Sequence, residues 1–227
     1  MRKSLIVAVV SLVGLLAIAT VASADHAWSV YHFPSDNLNP TVVDKTSSSL
    51  YDVPAGVQEW ADLGTPIQPQ ITNANKGDIT VTESFSPFWL GLARIFIDGD
   101  HITRGEVKLN TKLLDDYPAG AADHVLCQEI GHVLGLDHNR DGAQGGSPDD
   151  SCMNDQVSLF ATQYTSPNSH DTGQLNANYS HVDPSADGDD GEGGGGGNCP
   201  PGNPSHPNCN PSEASGRWVT VHVFWAD

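Results

Sequence analysis

Hydrophobic positions recur along this chain with two periods, and the segments they mark differ in type. "SSSLYDVPAGVQEWADLG" carries Leu50, Val53, Val57, Trp60 and Leu63 at spacings of three and four. This predicts an amphipathic helix started by the serines, delayed by Pro54 and stopped by Gly64. "GDITVTESF" alternates through Ile79 and Val81 and reads as a strand, and "LARIFID" and "GEVKLN" predict two more around a "DGDHITRG" turn. "AGAADHVLCQEIGHVLG", residues 119–135, is the strongest helix: Val125, Ile130, Val133 and Leu134 give it an apolar side and Gly135 a stop. "SHDTGQLNANYSHV", 169–182, predicts a second, capped helix with Leu175 and Tyr179 four apart. Residues 25–45 open with "HAWSVYHFP", read as an N-terminal strand entering the sheet. No period of repeats is present, and the mixture predicts an α+β domain.

The two ends of the chain differ from this middle. Arg2 and Lys3 precede an apolar run from Leu5 to Val21, and Ala22-Ser23-Ala24 forms a small-x-small cleavage signal. The run is shorter than the roughly 20 residues of a membrane span. Residues 1–24 are therefore expected to be a signal peptide, the protein to be secreted, and no membrane to be engaged after cleavage. Residues 184–216, including "DPSADGDDGEGGGGG", cannot bury apolar area and are expected to be a Gly/Asp/Pro-rich flexible linker. In "RWVTVHVFWAD", residues 217–227, Trp218, Thr220, His222 and Phe224 alternate with Val219, Val221, Val223 and Trp225. This C-terminal β-strand should return to the main sheet as an edge strand or dock on the surface, because alone it would aggregate.

Charge and cysteines narrow the setting. The chain carries a formal charge of −18, and removing Arg2 and Lys3 takes it to −20. Nucleic acid and anionic membrane would both repel such a protein. The aspartates cluster in Gly- and Asn-containing loops, which is consistent with solvation or with bound Ca²⁺, and both readings stay open. Four cysteines in an exported chain suggest two disulfides, with three connectivities. Cys199 and Cys209 bracket a Pro/Asn/Gly loop and would pair naturally, leaving Cys127 with Cys152. None has the CxxC spacing of a zinc site.

Within "LCQEIGHVLGLDH", residues 126–138, Gln128 and His132 are four apart on one helix face. Gly135 lets the chain turn so that His138 swings back, and Glu129 sits beside the face. Three protein ligands around zinc with an open fourth position lower the pKa of a bound water to about 7, and a neighbouring carboxylate can take its proton. The spacing Glu-x-x-His-x-x-Gly-x-x-His is therefore chemically legible. With "SCMN" after it, the stretch resembles the metzincin zinc metalloproteases, and among them the matrixin-like group, over about residues 26–183. The resemblance implies a metzincin-like catalytic domain, residues 25–183: a small twisted mixed sheet ending in the edge strand that borders the substrate cleft, an active-site helix, a Met-turn and a C-terminal helix. It assigns His132 and His138 as zinc ligands, Glu129 as general base and Met153 as the Met-turn. The Cys127–Cys152 bridge would then join the helix to the residue before that methionine.

The sequence departs from the family's HExxHxxGxxH pattern at the first histidine, which is Gln128. His124 lies eight residues before His132, about 12 Å along a helix axis, too far for joint coordination, and is expected to be a packed or supporting residue. His170 and His181 follow the Met-turn and could contribute only if the fold brought them to the site. The remaining candidate is the Gln128 side-chain oxygen, a poorer ligand than imidazole. The expected function is a secreted zinc-dependent metalloendopeptidase acting on peptide or protein as a monomer. Two alternatives stand beside it: a catalytically inactive metzincin-like peptide- or protein-binding domain, and a structural exported protein held by Ca²⁺ and disulfides.

Overall fold

The structure is a computed structural model that describes residues 26–139, 150–154, 164–183 and 216–225. The expected signal peptide, Cys199 and Cys209, the Asp-containing stretches at 140–149 and 184–190, and almost all of the 184–216 segment lie outside the described residues. Among the described residues no helix is long and apolar enough to cross a membrane.

Six strands form one mixed sheet in the order β2-β1-β3-β5-β4-β6. They are β1 (Thr41–Asp44), β2 (Gln70–Ile71), β3 (Ile79–Glu83), β4 (Trp89–Asp98), β5 (His101–Leu109) and β6 (Arg217–Trp225). β1 runs parallel to β2 and β3, and β3 parallel to β5, while β4 is antiparallel to both β5 and β6. The helices are α1 (Val53–Ala61), α2 (Thr111–Leu114), α3 (Ala121–Val133) and α4 (Ser169–Tyr179). The architecture is α+β.

α3 is buried along almost its whole length. Val125, Ile130 and Val133 meet Ile79, Ala93, Ile95 and Val107 of the sheet, all fully buried. The two layers approach closely at Gly105 of β5, where an added Cβ would lie 3.1 Å from Val133. α1 closes the other side of α3 through Val57 and Trp60, and the Trp60 indole N–H donates to the Cys127 carbonyl at 3.2 Å. Removing that ring would cost about 3–5 kcal/mol through the cavity it leaves. Tyr179 of α4 is tied in by its hydroxyl, which donates to the Leu134 carbonyl at 2.8 Å and accepts from the Phe33 N–H at 3.1 Å.

Several local expectations need correction. α1 is capped by Asp52, whose side chain accepts from the Ala55 N–H at 3.0 Å, rather than started by the serines, because Pro54 is confined to the first turn. The "HAWSVYHFP" segment makes only isolated bridges at Ala27 and His32, and the first true strand is β1. Its polar and aromatic side chains instead brace the ends of α3 and β5. The β4–β5 turn is only Gly99–Asp100, since residues 101–105 already pair with β3 and β4. β2 and α2 were too short for periodicity to mark. "GEVKLN" is interior: β5 lies between β3 and β4, and β6 covers the far edge of β4.

Candidate metal centre

The end of α3 sets the site. Gly135 has φ +93°, and a Cβ there would lie 2.5 Å from the Tyr31 carbonyl oxygen, so both backbone and space require glycine. The chain then reverses, held by Trp28 N–H to the Gly135 carbonyl (2.8 Å) and Asp137 N–H to the His26 carbonyl (2.6 Å). This turn carries His138 back toward the helix. Asn139 N–H donates to the Met153 carbonyl at 2.8 Å, which fastens the Met153 segment under the turn. Met153 is fully buried against Gly131, the residue before His132, where any Cβ would collide with its sulfur and with Trp60. A disulfide joins Cys127 of α3 to Cys152.

Three imidazoles converge here: His132, His138 and His222, with one ligand atom from each lying within 4.8 Å of the others. Their ring centroids are 4.3–4.8 Å apart. His132 is fully buried, and its Nδ1 is 2.8 Å from the Leu136 carbonyl, which can only accept. Nδ1 therefore carries the proton, and the Nε2 lone pair, which has no hydrogen-bond partner among the described residues, is free to ligate. Burial, then the neighbouring His222 and His138, push the His132 pKa well below its ordinary value, against the pull of the Leu136 carbonyl. The ring is thus held neutral, the form that ligates. His222 Nδ1 lies 2.9 Å from Glu129 Oε1. With Nδ1 donating to the carboxylate, this is a carboxylate–histidine arrangement of the kind that orients metal ligands.

His222 escaped sequence reasoning for a specific reason. Strict alternation puts it on the face of Trp218 and Thr220. In the structure β6 slips its register against β4: Ala93 pairs with His222, yet Arg94 pairs with Thr220 and Ile95 with Val219. Val221 is the extra residue of a β-bulge, and it moves His222 onto the inward face with Ala93. Trp218 stays outside, stacked on Arg94 with 4.7 Å from guanidinium to ring centre. The only sequence signal was a histidine in an otherwise apolar and aromatic strand.

The other expected residues fall as follows. Gln128 is fully buried, and neither its amide nitrogen nor its oxygen has a hydrogen-bond partner among the described residues. Glu129 is fully buried, with Oε2 also unpartnered. Leaving such groups unsatisfied costs about 1–3 kcal/mol each. Orphaned atoms on three residues of one helix are what a missing ligand would explain, so the donor set fits a metal. His124 is buried, with Nδ1 2.5 Å from the Tyr164 carbonyl. His170 sits with His26 and Asp171, and His181 beside His32, His101 and Asp183. An open cavity of about 320 Å³, lined by Trp28, Asp137, His138, Thr220, Val221, His222 and Val223, leads to the imidazoles.

Fold and site together define an α+β domain with a buried imidazole centre suited to a metal such as zinc. No family model matches the chain, and no curated protein matches it. Among solved structures it is similar to that of myroilysin, at 16% identity and a TM-score of 0.35. The match covers 49% of this chain and 54% of that one, so the chain spans about half of that protein's length. Likeness at this level carries no functional argument.

Proposed function

We propose that the protein is a secreted zinc-dependent metalloendopeptidase whose third imidazole comes from the C-terminal strand. The observation that carries this is the buried His132 Nε2, unpartnered and facing His138 and His222 beside Glu129. Zinc held by protein ligands with one position left for water lowers that water's pKa to about 7 and polarises a carbonyl. Glu129 serves both sides of this site: Oε1 orients His222, and Oε2 takes the proton of the attacking water. His222 takes over, as third ligand, the role of the histidine that the motif's first position lacks at Gln128, which leaves the fourth position to water. The substrate is peptide or protein, the catalytic unit is residues 25–183 completed by the strand at 217–227, and 184–216 is the tether between them. Calcium in the Asp-rich loops belongs to the same reading.

A second reading, a catalytically inactive peptide- or protein-binding domain, is favoured by one observation. β6 already fills the outer edge of β4, where an extended peptide would otherwise be laid out for cleavage, so a partner would have to be held elsewhere on the surface.

The test is zinc content and hydrolysis of a generic protein substrate by the exported protein, by His222→Ala, and by His222→Ala combined with Gln128→His. His222→Ala should lose one equivalent of zinc together with activity, and the added histidine should restore both. If wild type binds zinc but cleaves nothing, the binding-domain reading stands. If His222→Ala keeps its zinc and activity, the role given to β6 is wrong.

A further inference from the structure

A second group of ligand-bearing side chains lies elsewhere, and shares no residue with the first. His32 comes from the N-terminal segment, His101 opens β5, and His181 and Asp183 follow α4. Their polar atoms crowd together. His32 Nε2 is 3.2 Å from Asp183 Oδ1, and His181 Nε2 is 3.1 Å from that same oxygen. The two Nε2 atoms, of His32 and His181, are 3.1 Å apart, and His101 Nε2 is 3.3 Å from Asp183 Oδ2. Around a tetrahedral zinc with bonds of about 2.0–2.1 Å, neighbouring ligand atoms are about 3.3–3.4 Å apart. The three spacings among His32 Nε2, His181 Nε2 and Asp183 Oδ1 are near that edge, and His101 joins through the other carboxylate oxygen, with ligand atoms of His32, His101 and Asp183 all within 4.8 Å of one another.

Hydrogen bonding alone does not account for the group. His32 Nδ1 is 2.7 Å from the Val30 carbonyl, which only accepts, so Nδ1 bears the proton. A neutral His32 then turns a bare Nε2 toward Asp183 Oδ1, 3.2 Å away, acceptor against acceptor, whereas His181 Nε2 can donate to either of them. A proton on His32 would answer that contact as an ion pair, and a divalent cation answers it with the ring left neutral, the form that ligates. One divalent cation satisfies all the inward lone pairs at once. The rings of His101 and His181 meet that of His32 edge-on, at 90° and 79°, which directs several nitrogens inward without stacking.

The surroundings are those of a built site. Asp183 Oδ2 accepts from the Ser35 N–H at 2.6 Å, and Asp183 N–H donates to Ser35 Oγ at 3.2 Å, which fixes the carboxylate. His32 is held on β5 by Ile102 N–H to the His32 carbonyl, 2.6 Å. An open cavity of about 280 Å³, lined in part by His32, Asp100 and His181, provides access. Three imidazoles and one carboxylate are a donor set for a borderline metal of the zinc class, not for calcium, which takes six to eight oxygens.

We propose that His32, His101, His181 and Asp183 bind a second divalent metal ion of the zinc class, which staples the N-terminal segment and the exit of α4 to the start of β5. With four protein ligands the site is closed and structural rather than catalytic. It fixes the chain where α4 hands over to the segment leading to β6.

The experiment uses the full exported chain, stripped of metal and titrated with Zn²⁺ for stoichiometry and melting midpoint, and with Co²⁺ for its visible absorption. His132→Ala/His138→Ala should retain about one equivalent of zinc and a zinc-dependent rise of roughly 5–10 °C at free zinc about 100-fold above Kd. His101→Ala/His181→Ala, at partly exposed positions that tolerate truncation, should lose one equivalent relative to wild type, together with that rise. In the His132→Ala/His138→Ala background, Co²⁺ at the site should give the intense visible bands of tetrahedral coordination, and adding His101→Ala/His181→Ala should abolish them. The proposal is overturned if His101→Ala/His181→Ala binds as much zinc as wild type, or if its melting midpoint responds to zinc equally. Failure of the centre at His132 would appear only in the first variant, so the two outcomes are distinguishable.

Discussion

Replacing Glu129 by Gln tests whether the carboxylate acts through His222. The side chain is fully buried, its Oε1 is 2.9 Å from His222 Nδ1, and a Cβ on Gly91 would stand 2.5 Å from that oxygen. Gln occupies the same volume, so the change removes charge without leaving a hole. A hydrogen bond to a charged acceptor contributes about 1.5–3 kcal/mol against about 0.5–1.5 for a neutral one. The difference, about 1–2 kcal/mol, predicts a loss of roughly 5- to 30-fold in zinc affinity, which overlaps the lower part of the 10- to 100-fold range for a partner behind a metal ligand. Affinity is read by competition with a chromophoric chelator in the His101→Ala/His181→Ala background, so that one centre is counted. The same substitution made on top of His222→Ala should cost less than about twofold, because the group it acts through is gone. An equal loss in both backgrounds, or none in either, would refute the orienting role.

Three further outcomes follow from the packing. Gly91→Ala would bring its methyl 2.5 Å from both Glu129 Oε1 and Val125 Cγ1, and should destabilise by about 1–3 kcal/mol in urea unfolding while weakening zinc binding. Tyr179→Phe leaves the Phe33 N–H and Leu134 carbonyl unpartnered and should cost about 1–3 kcal/mol at neutral pH. Burial raises the Tyr179 pKa, outweighing the lowering by the Phe33 N–H, so the folded state holds the phenol neutral while the unfolded chain ionises near pH 10. Stability should accordingly fall as pH rises above about 10, and less steeply in the variant, as measured by melting midpoint against pH. Removing the Cys127–Cys152 bridge by paired alanines frees a loop with a sequence separation of 25 and should cost about 3.5 kcal/mol, read from the urea midpoint.

Much of the frame was legible because its signals are local. α3, α4, β3 and β4 announce themselves by periodicity, and Gly135 by its place after the last apolar residue of α3. The helix spacing also marked Glu129 and His132, since residues three and four apart share a face regardless of the fold around them, and Gly135 marked the turn that returns His138. What stayed hidden depends on distant chain. A one-residue bulge opposite Ala93 decides which way His222 points, and no pattern within "RWVTVHVFWAD" encodes it. The His32–His101–His181–Asp183 group draws on three separate segments, each with an unremarkable histidine or aspartate. Asp52 rather than a serine caps α1 because Pro54 fixes where the first turn can begin, a choice between neighbours that propensity ranks alike.

The pairing of β6 with β4 has a consequence for the order in which the molecule assembles. β4 and β5 are joined by a two-residue turn, whereas β6 meets β4 across more than a hundred residues of intervening chain. Closing so long a loop carries an entropic cost that the local hairpin does not, so β6 is expected to be the last strand placed and the first to leave. Its amides should exchange with solvent ahead of those of β5. His132 and His138 come together as soon as α3 and its turn form, and then wait for His222. Metal capture by all three is therefore a late event in folding, and a bound ion would act as a latch on the strand that arrives last.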